Sequence, residues 1–240
     1  ALFLVVSIGS GLEKVIEQAF TGNNIQAVAL QINSPGGSPV QSEMISLRIR
    51  ELSEKKNIPV LAFIEDVAAS GGYWLACAAD EIFASKASIV GSIGVVSSGF
   101  GFDKAIEKLG VQRRLYTSGD NKAILDPFLP ENKEDIKRLK AIQKELHSQF
   151  IAFVKSRRGS KIKDDNKEVF TGAFWSGESG IEIGLIDSFG EMRKVLKERF
   201  GNKIKIKEFM PKKKLFGFSS LLDGAMEMLI FKIEERSILK

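Results

Sequence analysis

Apolar runs of strand length alternate along this chain with stretches whose apolar residues recur every three or four positions. Short apolar runs bounded by glycine, proline or polar residues mark buried strands, and three-to-four spacing marks the helices packed on them. Val5 to Ile8, Ile25 to Ile32, Pro59 to Ile64 and Glu81 to Ala84 are predicted strands, and Ile89 to Val96 is an apolar run punctuated by glycine. Leu12 to Phe20, Val40 to Lys55, Gly72 to Ala79 and Phe102 to Leu109 are predicted helices. Met44, Leu47 and Leu52 form the apolar stripe of the second, and Gly110 ends the last. Strands alternating with helices predict repeated β-α-β units, hence an α/β fold with a mostly parallel sheet.

After Tyr116 the texture changes. Thr117 to Pro130 reads as a loop rich in Gly, Asp, Asn and Pro. Glu131 to Arg158 reads as a long amphipathic helix carrying Ile136, Leu139, Ile142, Leu146, Phe150 and Phe153 or Val154 on its apolar side. Such a helix can close the domain or pair with a neighbouring subunit. Phe170 to Phe200 predicts turn, helix, a strand at Leu185-Ile186-Asp187, and a final helix. No internal repeat or low-complexity segment occurs. The expected organisation is one domain over residues 1–200 and a basic, partly amphipathic C-terminal tail over 201–240.

Charge and rare residues narrow the chemistry. The net charge of +5 is concentrated at the end, with nine basic residues against five acidic ones from Gly201 to Lys240. A balanced body argues against a nucleic-acid-binding fold. The basic tail, with an amphipathic stretch over Leu221 to Leu239, suits either an anionic membrane surface or subunit packing. One Cys and one His cannot build a disulfide framework or a four-ligand zinc site. Cys77, inside the apolar run Tyr73 to Ala79, is expected to be a buried inert thiol, and His147, in a charged helical stretch, a surface residue. A hydrolase built on this chain therefore works without histidine. The opening run Ala1 to Ile8 is far short of the roughly 18 apolar residues that a membrane span requires.

Three glycine-rich turns follow apolar strands: Ser34-Pro35-Gly36-Gly37, Ala69-Ser70-Gly71-Gly72 and Gly91-Ser92-Ile93-Gly94. Turns at the carboxyl ends of parallel strands are where open α/β sheets place ligands, and glycine lets the backbone approach a substrate closely. Ser70 is the strongest nucleophile candidate, standing between a buried strand and a short helix whose free N–H groups favour developing negative charge. A serine at that place is also a common helix cap, so the chemistry needs a base. With histidine set aside, the base is a lysine or a carboxylate, and a lysine serves only when it is neutral. Lys122, beside Ala123-Ile124-Leu125 and close to Pro127-Phe128, has the most apolar setting, and Lys86 is the next candidate.

Taken together, Asn33 to Ser38, Ala68 to Tyr73, Gly91 to Val95 and Ser118-Gly119-Asp120-Asn121-Lys122 occur in the order of a known family. Phe170 to Glu178 and Gly184-Leu185-Ile186-Asp187 add to the match. From Ile25 to Leu196 the sequence resembles the SppA-type signal peptide peptidases, serine proteases of the S49 family with a ClpP/crotonase-like fold. The resemblance implies a Ser/Lys dyad of Ser70 as nucleophile and Lys122 as general base, with Ser92 orienting the lysine amine. It places the oxyanion hole in the N–H groups of Gly71 and of Gly36 or Gly37, and implies neither metal nor cofactor. It also implies a homo-oligomer whose serine and lysine meet across a subunit boundary, and a bacterial, membrane-associated enzyme facing outward. The first strand region is shorter than is usual in the family, and the tail from Lys212 matches no family segment.

The expected function is that of a serine endopeptidase hydrolysing apolar peptides such as remnant signal peptides. An envelope protease acting on misfolded proteins would carry nearly the same motifs. A crotonase-like acyl-CoA enzyme, with Glu65 and Asp66 as acid and base, would use the same turns but leave Ser118 to Lys122 unexplained. A non-catalytic oligomeric scaffold would use the turns only for packing.

Overall fold

The computed structural model describes residues 4–5, 12–162 and 167–209. The predicted amphipathic stretch in the basic tail lies outside these residues. Helix α1 (Leu12–Phe20) leads into β2 (Val28–Ser34), which pairs in parallel with β1 (Leu4–Val5) and with β3 (Val60–Ala69). Between them runs α2 (Pro39–Lys56), entered through a proline in its first turn and closed by Asn57 in the left-handed region. Both are favoured chemistries for those positions. Beyond β3 come α3 (Gly71–Ala76), β4 (Glu81–Ala84), β5 (Ile89–Gly91) and α4 (Asp103–Lys108). The long α5 (Lys133–Arg158) is followed by β6 (Phe174–Ser176), α6 (Gly177–Glu182), β7 (Ser188–Phe189) and α7 (Met192–Phe200).

The main path of the sheet is β1-β2-β3-β4-β7, parallel throughout. Strand β3 changes neighbours partway along. Leu61 to Ile64 pair with β4, whereas Val67 to Ala69 pair with β5, and the β2–β3 register shifts between Ile32 and Ser34. The exposed Glu65 and Asp66 occupy this corner. Strand β6 then adds antiparallel to β5.

Alternation along the central strands sorts their side chains onto two faces, as a period of two requires. Val28, Leu30 and Ile32 of β2 and Val60, Ala62 and Ile64 of β3 point into the larger core, with Ile16, Ile49, Tyr73, Trp74 and Phe150. Ala29, Leu61 and Phe63 point the other way, onto Phe83 and the α7 residues Met192, Val195 and Leu196. The sheet is thus covered on both faces, the rule for parallel strands.

Several boundaries differ from the sequence reading, each for a local reason. Strand β3 continues past Ile64 to Ala69 because β5 replaces β4 as its partner. The buried stripe of α2 is Ile45, Ile49 and Leu52; Met44 and Leu47 lie more than half exposed on its outer side. Leu185 and Ile186 are buried in a loop, and the short strand begins at Ser188. Helix α5 starts at Lys133, capped by the Asn132 side chain accepting from the Glu134 N–H. Its buried residues are Phe150, Val154 and Arg158, all in its second half.

The end of α5 is tied down by charge. Arg158, nearly fully buried, donates to the Gly184 carbonyl and to both Asp187 oxygens, at 2.7 and 3.2 Å. Asp187 also takes the Ile82 N–H at 2.8 Å and pairs with Lys161 at 2.7 Å. Burial alone would raise the Asp187 carboxyl; the hydrogen bonds from Arg158 and Lys161 outweigh it and hold the group below the ordinary carboxylate range.

Candidate active site

Ser70 is the residue at which β3 turns into α3. Its backbone has φ 50° and ψ −121°, a conformation that side-chain-bearing residues rarely adopt. Such a sharp strand-to-helix turn lifts a serine hydroxyl out of the chain path, as in nucleophile elbows. The Ser70 N–H donates to the Gly91 carbonyl at 2.9 Å, and its carbonyl accepts from Trp74 N–H at 3.0 Å, so the strained geometry is held from both sides. Ser70 is half-buried, and among the described residues its hydroxyl makes no hydrogen bond.

The first glycine turn packs directly against this junction. Gly36, at φ +136°, lies so close that a Cβ on it would sit 3.0 Å from the Ser70 Cβ and 3.4 Å from its Oγ. Helix α3 presses its own glycines on the same turn: a Cβ on Gly72 would lie 2.5 Å from the Ser34 carbonyl oxygen, and one on Gly71 3.1 Å from the Gly37 nitrogen. Ser34, buried, folds the turn back on itself. Its Oγ accepts the Gly36 N–H at 3.2 Å and donates to the Gly36 carbonyl at 3.3 Å. The Gly36 N–H is therefore engaged. Among the described residues the N–H groups of Gly37 and Gly71 have no acceptor.

The third turn carries Ser92 at φ 53°, with its N–H donating to Ala173 O at 2.7 Å and its carbonyl accepting from Gly94 at 2.9 Å. This turn meets the Ser70 junction through the bond from Ser70 N–H to Gly91 O. Ser70, Gly36, Gly37, Gly71 and Ser92 are thus assembled at one place.

Lys122 is not joined to them within one chain. It lies exposed in a turn of the loop after Tyr116, with its N–H on Gly119 O at 3.2 Å, and no hydrogen bond links it to Ser70 or Ser92. Beside it opens a cavity of about 780 Å3 lined in part by Phe100, Phe102, Ile124, Leu125 and Leu129. The apolar setting read from sequence is present as a surface and does not bury the amine.

The remaining candidates have other partners. Lys86 pairs with Glu178 at 2.9 Å, largely exposed. Glu65 accepts from the Gln31 side chain and Asp66 from Asn33, both at the sheet corner. Cys77 is fully buried and its thiol is pushed up to about 12 by that burial. His147 differs from its expected place: it is half-buried, and its Nε2 lies 2.9 Å from the Ile93 carbonyl in the third turn. Among the described residues no cluster of His, Cys, Asp and Glu could hold a metal ion, and no helix is long and apolar enough to cross a membrane.

A curled, mostly parallel sheet that presents a serine on a strained strand-to-helix turn, beside glycine turns with free N–H groups, defines an α/β hydrolytic fold of the ClpP-like kind. The model of peptidase family S49 matches residues 53–203, and the chain belongs to that family. It is 35% identical over 176 residues to a putative protease of Methanocaldococcus jannaschii, covering 73% of this chain and 56% of that protein. It is 34% identical over 168 residues to a putative signal peptide peptidase SppA of Enterococcus faecium, covering 69% and 48% respectively. A match of 52% identity over 203 residues covers 85% of this chain but 27% of a Brucella abortus protein named as an Na(+)/H(+) antiporter. The chain thus spans between about a quarter and a little over half of these relatives' lengths. Among solved structures, the fold is shared with a membrane-bound stomatin-specific protease in complex with a substrate peptide. That likeness has a TM-score of 0.52 and 16% identity, covering 94% of this chain and 96% of the other.

Proposed function

We propose that this chain is a serine endopeptidase domain that cleaves apolar peptides, remnant signal peptides among them, with a dyad of Ser70 and Lys122. Ser70 attacks the scissile carbonyl while the unprotonated Lys122 amine takes its proton and later returns it to the leaving amine. The N–H groups of Gly37 and Gly71 receive the oxyanion, and Ser92 orients the lysine. Water then hydrolyses the acyl-enzyme. The observation that carries the reading is the presentation of Ser70: a half-buried hydroxyl on a strained turn, flanked by two glycine N–H groups without acceptors.

Lys122 completes the site from a neighbouring copy. Its exposure supports this reading, as do large apolar side chains the domain leaves uncovered: Phe100, which lines the cavity beside the Lys122 turn, and Val96, Leu109, Tyr116, Val40 and Leu47 elsewhere on its surface. Large exposed apolar patches mark interaction surfaces. Oligomerisation would bury the amine and so keep it neutral. The domain acts in association with a bacterial membrane, facing outward.

The test is turnover of a fluorogenic apolar peptide by the parent, Ser70→Ala, Lys122→Ala, and an equimolar, re-assembled mixture of the two variants. Each variant alone is expected to be inactive at unchanged oligomer size, and the mixture to regain activity by pairing an intact serine with an intact lysine. Retained activity in Ser70→Ala refutes the nucleophile. A mixture as inactive as its components refutes the shared site. Because the base must be unprotonated, activity falls as pH is lowered; full turnover below about pH 5 would contradict a lysine base.

A further inference from the structure

Besides the strand pairing of Gly91 with Ala69 and Phe174, three bonds among the described residues hold the Gly91–Gly94 turn to the rest of the domain. Two are backbone bonds already described, Ser70 N–H to Gly91 O and Ser92 N–H to Ala173 O. The third is the contact of His147 with Ile93 O at 2.9 Å, which spans 54 residues of chain and is the only one made by a side chain. A carbonyl oxygen only accepts, so Nε2 carries the proton and donates. The contact fixes the residue directly after Ser92, and the same turn takes the Ser70 N–H through Gly91.

Helix α5 meets the other half of the site as well. Three residues beyond His147, Phe150 stacks on Trp74 of α3 at 4.6 Å between ring centroids, and Phe153 stacks on the same indole at 5.5 Å. Trp74 is the residue whose N–H closes on the Ser70 carbonyl. One face of α5 therefore braces the nucleophile's helix through aromatic packing and the Ser92 turn through a single hydrogen bond. The Trp74–Phe150 contact is buried and broad, whereas the His147 bond is directional and sits where Ile93, itself fully buried, cannot move freely. A hydrogen bond of that kind adds orientation more than stability.

We infer that His147 is a positioning residue of the peptidase site: its Nε2–H locks the Ile93 carbonyl, and through the 91–94 turn sets both the Ser92 hydroxyl and the backbone of Ser70. It touches neither substrate nor the reacting atoms. The inference rests on the Ser70/Lys122 reading of the site, and its test separates the two.

The parent, His147→Leu and His147→Gln are labelled with a fluorophosphonate, which phosphonylates an activated serine without peptide recognition, and the modified residue is located by mass spectrometry. Peptide turnover and thermal unfolding are measured on the same samples. Leu keeps the bulk and removes the donor; Gln keeps an N–H at similar reach. His147→Leu is expected to lower the labelling rate and kcat together by about 10- to 100-fold, with KM little changed and unfolding within a few degrees of the parent. His147→Gln is expected to recover most of both rates. Parental labelling of Ser70 in His147→Leu overturns the inference and leaves the dyad standing. Equal impairment of the Gln and Leu variants overturns it too, since the donor would not matter. Labelling of the parent at a residue other than Ser70 overturns the dyad reading and the inference with it.

Discussion

Replacing Gly72 by alanine tests whether the site is built by backbone packed on backbone. A Cβ there would stand 2.5 Å from the Ser34 carbonyl oxygen and 3.1 Å from the Ser34 Cβ, and the nearest obstacle is main chain with no rotamer to yield. Ordinary contact begins at 3.4 Å, so α3 and the first glycine turn must part by about 1 Å. Overpacking of this kind costs about 1–3 kcal/mol, offset in part by up to about 1 kcal/mol from alanine's better helix propensity. Catalysis is hit harder. In the proposed site Ser70 rides on α3 and the Gly37 N–H on the facing turn, so the same displacement would separate nucleophile from oxyanion donor, and an error of about 1 Å can cost about 100-fold. The assay is kcat for a fluorogenic peptide alongside urea unfolding, with Gly99→Ala as control because nothing lies within 4 Å of its added Cβ. Gly72→Ala is expected to remain folded with kcat down by about two orders of magnitude. If kcat stayed within about threefold of the parent, the close approach would be irrelevant to the chemistry and the packing argument would fail.

Further outcomes follow from the buried groups. Asp187→Asn strands the buried Arg158 guanidinium and sets an amide against the Ile82 N–H or the guanidinium, so it should destabilise by about 3–5 kcal/mol in urea titrations at neutral pH. The folded Asp187 carboxyl is depressed, so its contribution is present above the unfolded value of about 3.9 and lost as pH falls through the lower folded value. The gap between parent and variant should therefore close in acid, and a gap that persists unchanged would contradict the pairing. Cys77, with its thiol pushed up to about 12, should resist alkylation in the native protein at pH 8 and react only after unfolding, which mass spectrometry of iodoacetamide-treated samples would read directly. Phe63→Ala removes a ring stacked on Phe83 at 5.0 Å in the smaller core and should cost about 3–5 kcal/mol of unfolding free energy, without a selective effect on kcat.

Much of this arrangement is written locally. The central strands announce themselves as apolar runs, and the three glycine turns mark where backbone must approach backbone; the assembly of Gly36, Ser70 and Ser92 follows from their places at strand ends. What sequence did not disclose depends on partners distant along the chain. Helix α2 carries apolar residues on two sides, so spacing alone could not say that Ile45 and Ile49 face inward while Met44 and Leu47 face out. Strand β6, three residues long, is defined by its antiparallel pairing with β5 and has no pattern of its own. His147 sits among charged neighbours on a helix whose first half is mostly uncovered, and only the tertiary position of Ile93 O reveals its bond. The place of Lys122 shows the same limit from the other side. An apolar neighbourhood along the chain promised burial, yet the domain itself supplies none.

The backbone at Ser70 also bears on how this sequence can change over generations. Its angles suit a residue without a Cβ, and holding a side chain there costs on the order of 1–3 kcal/mol. For foldedness alone, glycine would be the better occupant. That substitution would leave a sturdier domain with no hydroxyl to attack with. On the proposed reading of the site, a serine here serves turnover against the preference of the fold.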